Sequence, residues 1–590
     1  MTTPAPLTFG TAGVRAPLGE GPDRLNSVTV TRVATAIARY LVAEFGAEVG
    51  GSNGVGQERV GVERRGRALV IVGGDARHGS REFVDIVCGV MSAHGVDVAT
   101  PGEPVPTPVV AAGVLARRAV AGIQVTASHN PPGDNGIKMF GADGAQIVPP
   151  TDSRIEALLA TMSGEKVNVE NVSRETESAV AGKASVTSGT TGAHGGRIMT
   201  DPSLVDDYVA AVVGPEAGEE SGAESGAESG AVPRIAQTRG KSLRVALTPV
   251  HGVGGEICRK VLVGLGFPDV VLVPDQAEPD PDFPTVDSPN PEHPETTAAL
   301  LELAENIDAD VALALDPDAD RCAMGTRGPD GRWLMLDGDS TGILLVDHLL
   351  SSAATGPFAA AGPFATVDSF ATVDSSATDS STAAAPVVAS TIVSSRMSSL
   401  LVPARGGRHV QTLTGFKWLV RAGEPLLYAY EEAIGHCVLP GIVRDKDGIS
   451  AAAAWCSMVA DLAGAGSSPT ERLAVLHDEF GLHVRSNGSV PLDPLRAIDD
   501  ELGRIATALT GAPGSTGDAG GVMPLDGTSG FRLELATGGR AVVRPSGTEP
   551  LLKIYCETWT SPGAGETDRA DARERLEELE SLVRGAVAGV

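Results

Sequence analysis

Short runs of apolar, largely β-branched residues alternate along this chain with segments of helical spacing, and polar clusters fall where the runs end. Residues 68–72 read as a buried strand that ends in Gly73-Gly74-Asp75-Ala76-Arg77. Residues 122–125 read as another, ending in Thr126-Ala127-Ser128-His129-Asn130-Pro131. Residues 243–247 lead through Thr248-Pro249-Val250-His251-Gly252 into a helical segment over 256–265, with a further strand at 270–273. Helical spacing over 295–306 precedes a strand at 310–315 that ends in Asp316-Pro317-Asp318-Ala319-Asp320-Arg321. This succession of strand, loop, helix and strand predicts right-handed βαβ units in mixed or parallel sheets. Ligands of such sheets bind beyond the strand ends, where these clusters sit. The last part of the chain, with strands at 540–543 and 551–557 and a charged helix from about Asp568, suits a smaller α+β domain.

Four stretches interrupt the pattern. Residues 164–200 are polar and rich in Ser, Thr and Gly, 214–240 repeat a Gly-Ala-Glu-Ser unit, 352–385 are nearly all small or polar, and 511–528 form a shorter fourth. Such compositions bury too little apolar surface to offset the entropy of ordering, so they are expected to be surface excursions that leave the core topology alone. The 590 residues allow three to five domains at roughly 100–200 residues each. Only 4% of residues are aromatic against 42% hydrophobic, so the cores must rest on Val, Leu, Ile and Ala.

Charge narrows the partners. With 46 basic and 75 acidic residues, the formal charge of −29 repels nucleic acid and anionic membranes. A site for an anionic substrate must therefore gather basic side chains locally. The six cysteines, Cys88, Cys258, Cys322, Cys437, Cys456 and Cys556, are widely spaced with no Cys-x-x-Cys pair, which predicts buried free thiols in a reducing compartment. The opening residues lack a charged-then-apolar leader, and no apolar run approaches the ~18 residues that span a bilayer. The chain is expected to be soluble and cytoplasmic.

Four constellations carry candidate chemistry. In the first, Asp316, Asp318 and Asp320 alternate after a strand and can converge on one hard cation, magnesium or calcium. An EF-hand loop would need Gly and Glu at its sixth and twelfth positions, where Arg321 and Arg327 stand. An Asp-x-Asp-x-Thr phosphatase would need Thr or Val where Asp320 stands. A metal cluster beside an arginine suits phosphoryl transfer. The second holds Ser128, a nucleophile or a turn residue. No Gly-x-Ser-x-Gly elbow surrounds it, and a tight turn past Pro131 can bring Lys138 back towards it to handle a hydroxyl proton. The third, Arg544-Pro545-Ser546-Gly547-Thr548, joins a forked cation to hydroxyl and backbone donors that can ring a phosphate, or is an ordinary Pro/Gly turn. The fourth pairs Thr414-Gly415-Phe416-Lys417-Trp418 with Glu431-Glu432-Ala433-Ile434-Gly435-His436. Its carboxylates can accept from vicinal sugar hydroxyls while Lys417 and His436 add charge, and a capped turn is the plainer reading.

Together and in this order, from Phe9-Gly10-Thr11-Ala12-Gly13-Val14-Arg15 to the Arg544 loop, these motifs resemble the α-D-phosphohexomutases, the family of phosphoglucomutases, phosphomannomutases and phosphopentomutases. The resemblance covers nearly the whole chain outside the four interruptions. It implies an α/β protein of four domains around a central cleft: three similar α/β domains with mixed sheets and a C-terminal α+β domain. The expected ranges are 1–205 with the phosphoserine loop, 206–328 with the metal loop, 329–460 with the sugar loop and 461–590 with the phosphate loop. It further implies that Ser128 carries the phosphoryl group, with Arg15, His129, Lys138 and Arg321 around it. Asp316, Asp318 and Asp320 hold Mg2+ together with a Ser128 phosphate oxygen. Lys417, Glu431, Glu432 and His436 read the sugar, and Arg544, Ser546, Gly547 and Thr548 bind the non-reacting phosphate. The implied reaction interconverts sugar 1-phosphate and 6-phosphate of glucose or mannose, primed by a sugar 1,6-bisphosphate. The alternatives are the ribose 1-phosphate/5-phosphate reaction and a metal-dependent sugar phosphatase. The implied partner is a small-molecule sugar phosphate, with no nucleic acid or membrane, in a monomer or dimer. One departure touches specificity: many relatives carry Ser just after the sugar-loop Glu, where this chain has Ala433 and Ile434. The combined motifs look closest to the phosphoglucomutase/phosphopentomutase branch.

Overall fold

A computed structural model of the protein describes residues 7, 13–45, 67–162, 195–214, 243–355, 385–492, 498–510, 521–546 and 551–589. These fall into two compact units, one formed by residues 7–214, 243–325 and 435–457, the other by 326–434 and 458–589.

The first unit holds two mixed sheets. One has the strand order Val14–Pro17, Asp134–Gly141, Ala121–Val125, Leu69–Gly74, Asp97–Thr100, Ile198–Thr200. The last four strands are parallel, while Asp134–Gly141 runs antiparallel to both its neighbours. Ala121–Val125 is buried along its whole length, as expected of a strand covered on both faces. The helix Ser80–Ala93 shows why these segments pack. Phe83, Ile86, Val87, Val90 and Met91 recur at helical spacing, and all are buried in the same core as Val70, Val72 and Val98. Each such side chain contributes roughly 1.5–3 kcal/mol of burial. The second sheet runs Cys322–Arg327, Val311–Leu315, Arg244–Thr248, Asp269–Leu272 within this unit, antiparallel only at its first pair. The helices Gly255–Gly264 and Pro294–Asn306 stand where helical spacing was read.

The second unit contains the parallel strands Arg408–Thr412, Val387–Thr391 and Leu426–Glu431 in that order. It also contains a wholly antiparallel sheet, ordered His483–Pro491, Leu551–Trp559, Gly539–Pro545, Phe531–Leu535, Gly521–Pro524. The helices Ile498–Thr510 and Glu566–Ala588 bury Leu502, Ile505, Leu576, Leu579 and Val583 against that sheet. This is the expected α+β ending.

The loops after Val125 and Leu315 are hairpin turns, in keeping with the expected return of Lys138 towards Ser128: each joins two antiparallel neighbours, as Gln124 faces Lys138 and Leu315 faces Cys322. Other expectations are corrected. The supposed excursions reach into the sheets at their ends. Ile198–Thr200 pairs with Asp97–Thr100, and Gly521–Pro524 with Phe531–Leu535. Of the rest, 164–194, 215–240, 356–384 and 511–520 lie outside the described residues. The expected domain limits at 205 and 460 fall inside the helices Ser203–Val213 and Gly448–Gly464. All six cysteines are free and buried. Among the described residues no single helix is long and apolar enough to cross a membrane.

Candidate active site

Ser128 sits in the turn between Ala121–Val125 and Asp134–Gly141, 1% exposed, with φ 55°. That left-handed conformation is sparsely populated by residues with a side chain and costs about 1–3 kcal/mol, so the surroundings must hold it. Arg77 does so. Its guanidinium donates to the carbonyls of Ser128 at 2.5 Å, Asn130 at 2.6 Å, Pro131 at 2.9 Å and Asp134 at 3.3 Å. It pairs with Asp75 at 3.4 Å and lies 5.0 Å over the Phe283 ring. Thr126 Oγ1 accepts the Ser128 N–H at 2.8 Å.

The Ser128 hydroxyl donates to Asp316 Oδ2 at 2.7 Å, from a segment 188 residues away. Asp316, Asp318 and Asp320 are each 0% exposed. One oxygen from each lies within 4.8 Å of the other two. The hairpin turn aims all three inward: Ala319 between them has φ 53°, and Arg321 N–H donates to Asp316 Oδ1 at 3.0 Å. The neighbouring loop supports the turn from below. Gly252 lies so close that a Cβ there would stand 2.4 Å from Pro317 Cα, and Val253 N–H donates to Pro317 O at 3.0 Å.

The carboxylates are only partly neutralised. Lys138 Nζ lies 2.6 Å from Asp318 and 2.5 Å from Asp320, Lys446 Nζ lies 3.4 Å from Asp320, and Thr107 donates to Asp318 Oδ2. Asp318 Oδ1 and Asp320 Oδ1 accept no hydrogen bond among the described residues, although both are buried. Burial, and then the charges of Asp318 and Asp320, push the Asp316 carboxyl well above its ordinary range. Burial would raise Asp320 too, but Lys138, Lys446 and Arg321 hold it below. Buried carboxylate oxygens without donors are costly, and an all-oxygen set fits a hard cation such as magnesium or calcium. The residues present therefore fit a metal.

Around this cluster Arg15 donates to Asn130 Oδ1 at 3.2 Å, and Arg321 faces Glu292 at 3.6 Å. His129 Nδ1 lies 3.3 Å from Ser128 Oγ. Burial, then the Arg321 and Arg15 charges, drive the His129 imidazole well below its usual range, so it is neutral. Lys138 is 1% exposed, so its charge is buried with the aspartates and not spread over a solvated surface.

In the second unit, Glu431 ends the strand Leu426–Glu431 and Glu432 begins the turn. The turn is tight: Ile434 has φ 53°, and a Cβ at Gly338 would stand 2.2 Å from Glu432 O. Thr391 Oγ1 lies 3.0 Å from Glu432 Oε2. Burial, then the Glu431 charge, push the Glu432 carboxyl up to about 7, against Arg544. Arg544 donates to Tyr555 Oη at 3.1 Å and lies 5.6 Å over its ring. Ser546 N–H donates to Leu551 O at 2.8 Å. Lys417 is 5.5 Å over the Trp418 ring. Gly547, Thr548 and residues 9–12 of the opening motif lie outside the described residues.

His436 does not supply the charge expected of it. It belongs to the first unit, is 0% exposed, and burial pushes it down to about 3. Sequence reasoning missed Arg77, Thr107, Lys446 and Thr391. A signal existed for Lys446: Arg444-Asp445-Lys446-Asp447 is a dense charged run between apolar stretches. It packs on the aspartate hairpin, where a Cβ at Gly448 would stand 2.5 Å from Arg321 O. Thr107 and Thr391 carried no such mark.

Four domain profiles of one family match the chain in order. These are phosphoglucomutase/phosphomannomutase alpha/beta/alpha domain I over residues 6–165, domain II over 227–329, domain III over 337–478 and the C-terminal domain over 504–572. The chain is 29% identical over 613 residues to a phosphopentomutase of Mus musculus, covering 99% of this chain and 88% of that one. It is 29% identical over 527 residues to a probable phosphomannomutase of Haemophilus influenzae, covering 87% and 92%. A crystal structure of a phosphoglucomutase/phosphomannomutase family protein from Burkholderia thailandensis shares the fold, with a TM-score of 0.65 at 19% identity over 98% of this chain and 97% of that one.

Proposed function

We propose that this chain, which belongs to the phosphoglucomutase/phosphomannomutase family, moves a phosphoryl group between the 1- and 6-hydroxyls of glucose or mannose through a phosphorylated Ser128. It is a phosphomutase, an isomerase. The observation that carries the reading is the Ser128 hydroxyl 2.7 Å from Asp316, in a buried trio of carboxylates with two oxygens lacking donors among the described residues.

Asp316, Asp318 and Asp320 are the proposed Mg2+ ligands, and the bound ion supplies positive charge to the transferring phosphoryl oxygens. Arg15, Arg321 and Lys446 are the cations of this chain proposed to bind the same oxygens. The P–O bond to Ser128 breaks as a P–O bond to the sugar hydroxyl forms, and the displaced proton passes to His129, whose imidazole stands 3.3 Å from Ser128 Oγ, while Lys138, ion-paired with Asp318 and Asp320, adds positive charge beside the transfer. The product is a bisphosphorylated sugar, and return of its other phosphate to Ser128 regenerates the enzyme. A sugar 1,6-bisphosphate primes the cycle. Arg544, Ser546, Gly547 and Thr548 hold the non-reacting phosphate, while Lys417, Glu431 and Glu432 read the ring hydroxyls. Phosphate esters hydrolyse very slowly unaided, but groups that speed transfer to a sugar hydroxyl would speed transfer to water as well, so a primed serine in this site persists only where water is excluded.

A second reading, ribose 1-phosphate to ribose 5-phosphate, is favoured by the match to a phosphopentomutase along 99% of the chain. The test assays glucose 1-phosphate, mannose 1-phosphate and ribose 1-phosphate side by side, with Mg2+ and the matching bisphosphate. The expected product is the terminal phosphate ester; inorganic phosphate as the main product would make the protein a phosphatase. Ser128→Ala is expected to lose turnover by several orders of magnitude with an unchanged circular dichroism spectrum, and a fully active variant would eliminate Ser128 as the phosphoryl carrier.

A further inference from the structure

With Glu432 ionised, the hydroxyl of Thr391 has one consistent proton arrangement. Thr391 ends the strand Val387–Thr391 and is 0% exposed, as is Ser394. Its Oγ1 accepts the Ser394 N–H at 3.1 Å, lies 2.9 Å from Ser394 Oγ and lies 3.0 Å from Glu432 Oε2. Ser394 Oγ in turn accepts the Thr391 N–H at 3.3 Å. A hydroxyl has one proton and two acceptor sites. If Thr391 gave its proton to Ser394, its lone pairs would face the carboxylate oxygen. The satisfied arrangement runs from Ser394 Oγ to Thr391 Oγ1 to Glu432 Oε2, with both Thr391 lone pairs filled.

We propose that Thr391, oriented by Ser394, is a positioning residue that commits Glu432 Oε2 to the protein and reserves Oε1 for a sugar hydroxyl, so that it sets the affinity and pH response of sugar binding. This rests on the reading of Glu432 as a sugar contact. Ala433 and Ile434 bring no hydroxyl to the turn, so the orienting donor comes from the neighbouring strand instead. The charged and titratable groups about Glu432 are Glu431 on its own strand, Arg544 and Tyr555 on the C-terminal sheet, and Arg485, Arg540 and Glu557, which line a small cavity with it. With its carboxyl pushed up to about 7, Glu432 changes charge in the working range. A donor such as Thr391 favours the ionised form.

The experiment measures kcat and KM against pH for Thr391→Val, Thr391→Ser and Glu432→Gln, using the sugar 1-phosphate turned over best and its bisphosphate. Thr391→Val is expected to raise KM about tenfold with kcat within about twofold. It is also expected to move the acid limb of kcat/KM upward by up to about one pH unit. Titration of the substrate phosphate is common to all variants and cancels. Thr391→Ser restores both parameters. Glu432→Gln raises KM and erases that limb. Should Thr391→Val not fold, Ser394→Ala, which removes the orienting donor, is expected to give the same shifts at smaller size. Wild-type KM and limb in the Thr391 variant, beside a perturbed Glu432→Gln, overturn the positioning role alone. An unaltered KM in Glu432→Gln overturns the sugar contact and the positioning role together.

Discussion

Replacing Arg77 by Met keeps the length of the side chain and removes its charge and every donor. The side chains of Arg77 and Asp75 are each 1% exposed, so the variant leaves Asp75 buried without its cation. Breaking a buried pair in this way costs about 3–5 kcal/mol, a large share of the roughly 5–15 kcal/mol that holds a folded protein together. A second effect is local. Four carbonyls of the Ser128 turn lose the Arg77 donor, Pro131 keeping a second bond from the Asp134 N–H, and Ser128 itself is held at φ 55°. A strain of about 1–3 kcal/mol, no longer opposed, moves the turn towards relaxed conformers by roughly 5- to 150-fold. Arg77→Met is therefore expected to lower Tm and to reduce kcat by about one to two orders of magnitude at a temperature where the variant stays folded. Arg77→Lys, which keeps the charge but not the fork, should fall between. The assay pairs thermal unfolding with turnover at saturating substrate and bisphosphate. Turnover within about twofold of the parent, beside a lowered Tm, would show that Arg77 stabilises without aiming Ser128. An unchanged Tm would refute the burial argument itself.

Two further outcomes follow from charge. Asp318→Asn removes one of three mutually repelling carboxylates, one of which, Asp316, is already pushed upward by burial and by its neighbours. The metal-free variant should be at least as stable as the parent, while the stabilisation by Mg2+, about 2.7 kcal/mol at 100 times Kd and read as a rise in Tm, should largely vanish. A parental Mg2+-induced shift would contradict the assignment. His436 is neutral in the fold because burial pushes it down from its ordinary value to about 3. Its contribution is complete above about pH 6.5 and is lost as pH falls through that value towards 3, where the unfolded chain binds the extra proton. His436→Gln should flatten the acid side of the stability–pH curve, and an identical slope would exclude His436 as its source.

The sequence and the structure agree where chemistry is local. Asp316, Asp318 and Asp320 announce themselves because alternation places three ligands in one turn, and Ser128 and Lys138 because a short turn joins them. The hairpin character of those turns was legible too. Only residues 316–321 separate Val311–Leu315 from Cys322–Arg327, whereas a parallel crossover needs a dozen residues or more. Composition misled at Ile198–Thr200 and Gly521–Pro524, short edge strands embedded in polar sequence, because a three- or four-residue strand is held by its neighbour's backbone rather than by its own apolar run. His436 looked like part of a polar loop, but Gly435–Cys437 is a buried strand.

The residues that went unread share a physical property. Arg77 serves the Ser128 carbonyl, Thr107 and Lys446 serve the aspartates, and Thr391 serves Glu432. Each donates to a group that the sequence already marked, from 41 to 211 residues away where the separations are measured for Arg77, Thr107 and Thr391. Their need arises only on burial, when water no longer satisfies the polar atoms of the marked group. Ser128, the aspartates and Glu432 are fixed by what a phosphoryl group, a cation or a sugar hydroxyl requires, so they leave recognisable local patterns. A buried donor is fixed by what the folded chain fails to satisfy, and an isolated Thr or Arg of the right length meets that need from any strand or loop that folding brings alongside. Such positions become predictable once the marked residues are placed and their unsatisfied lone pairs are counted, since each buried acceptor then asks for one more side chain.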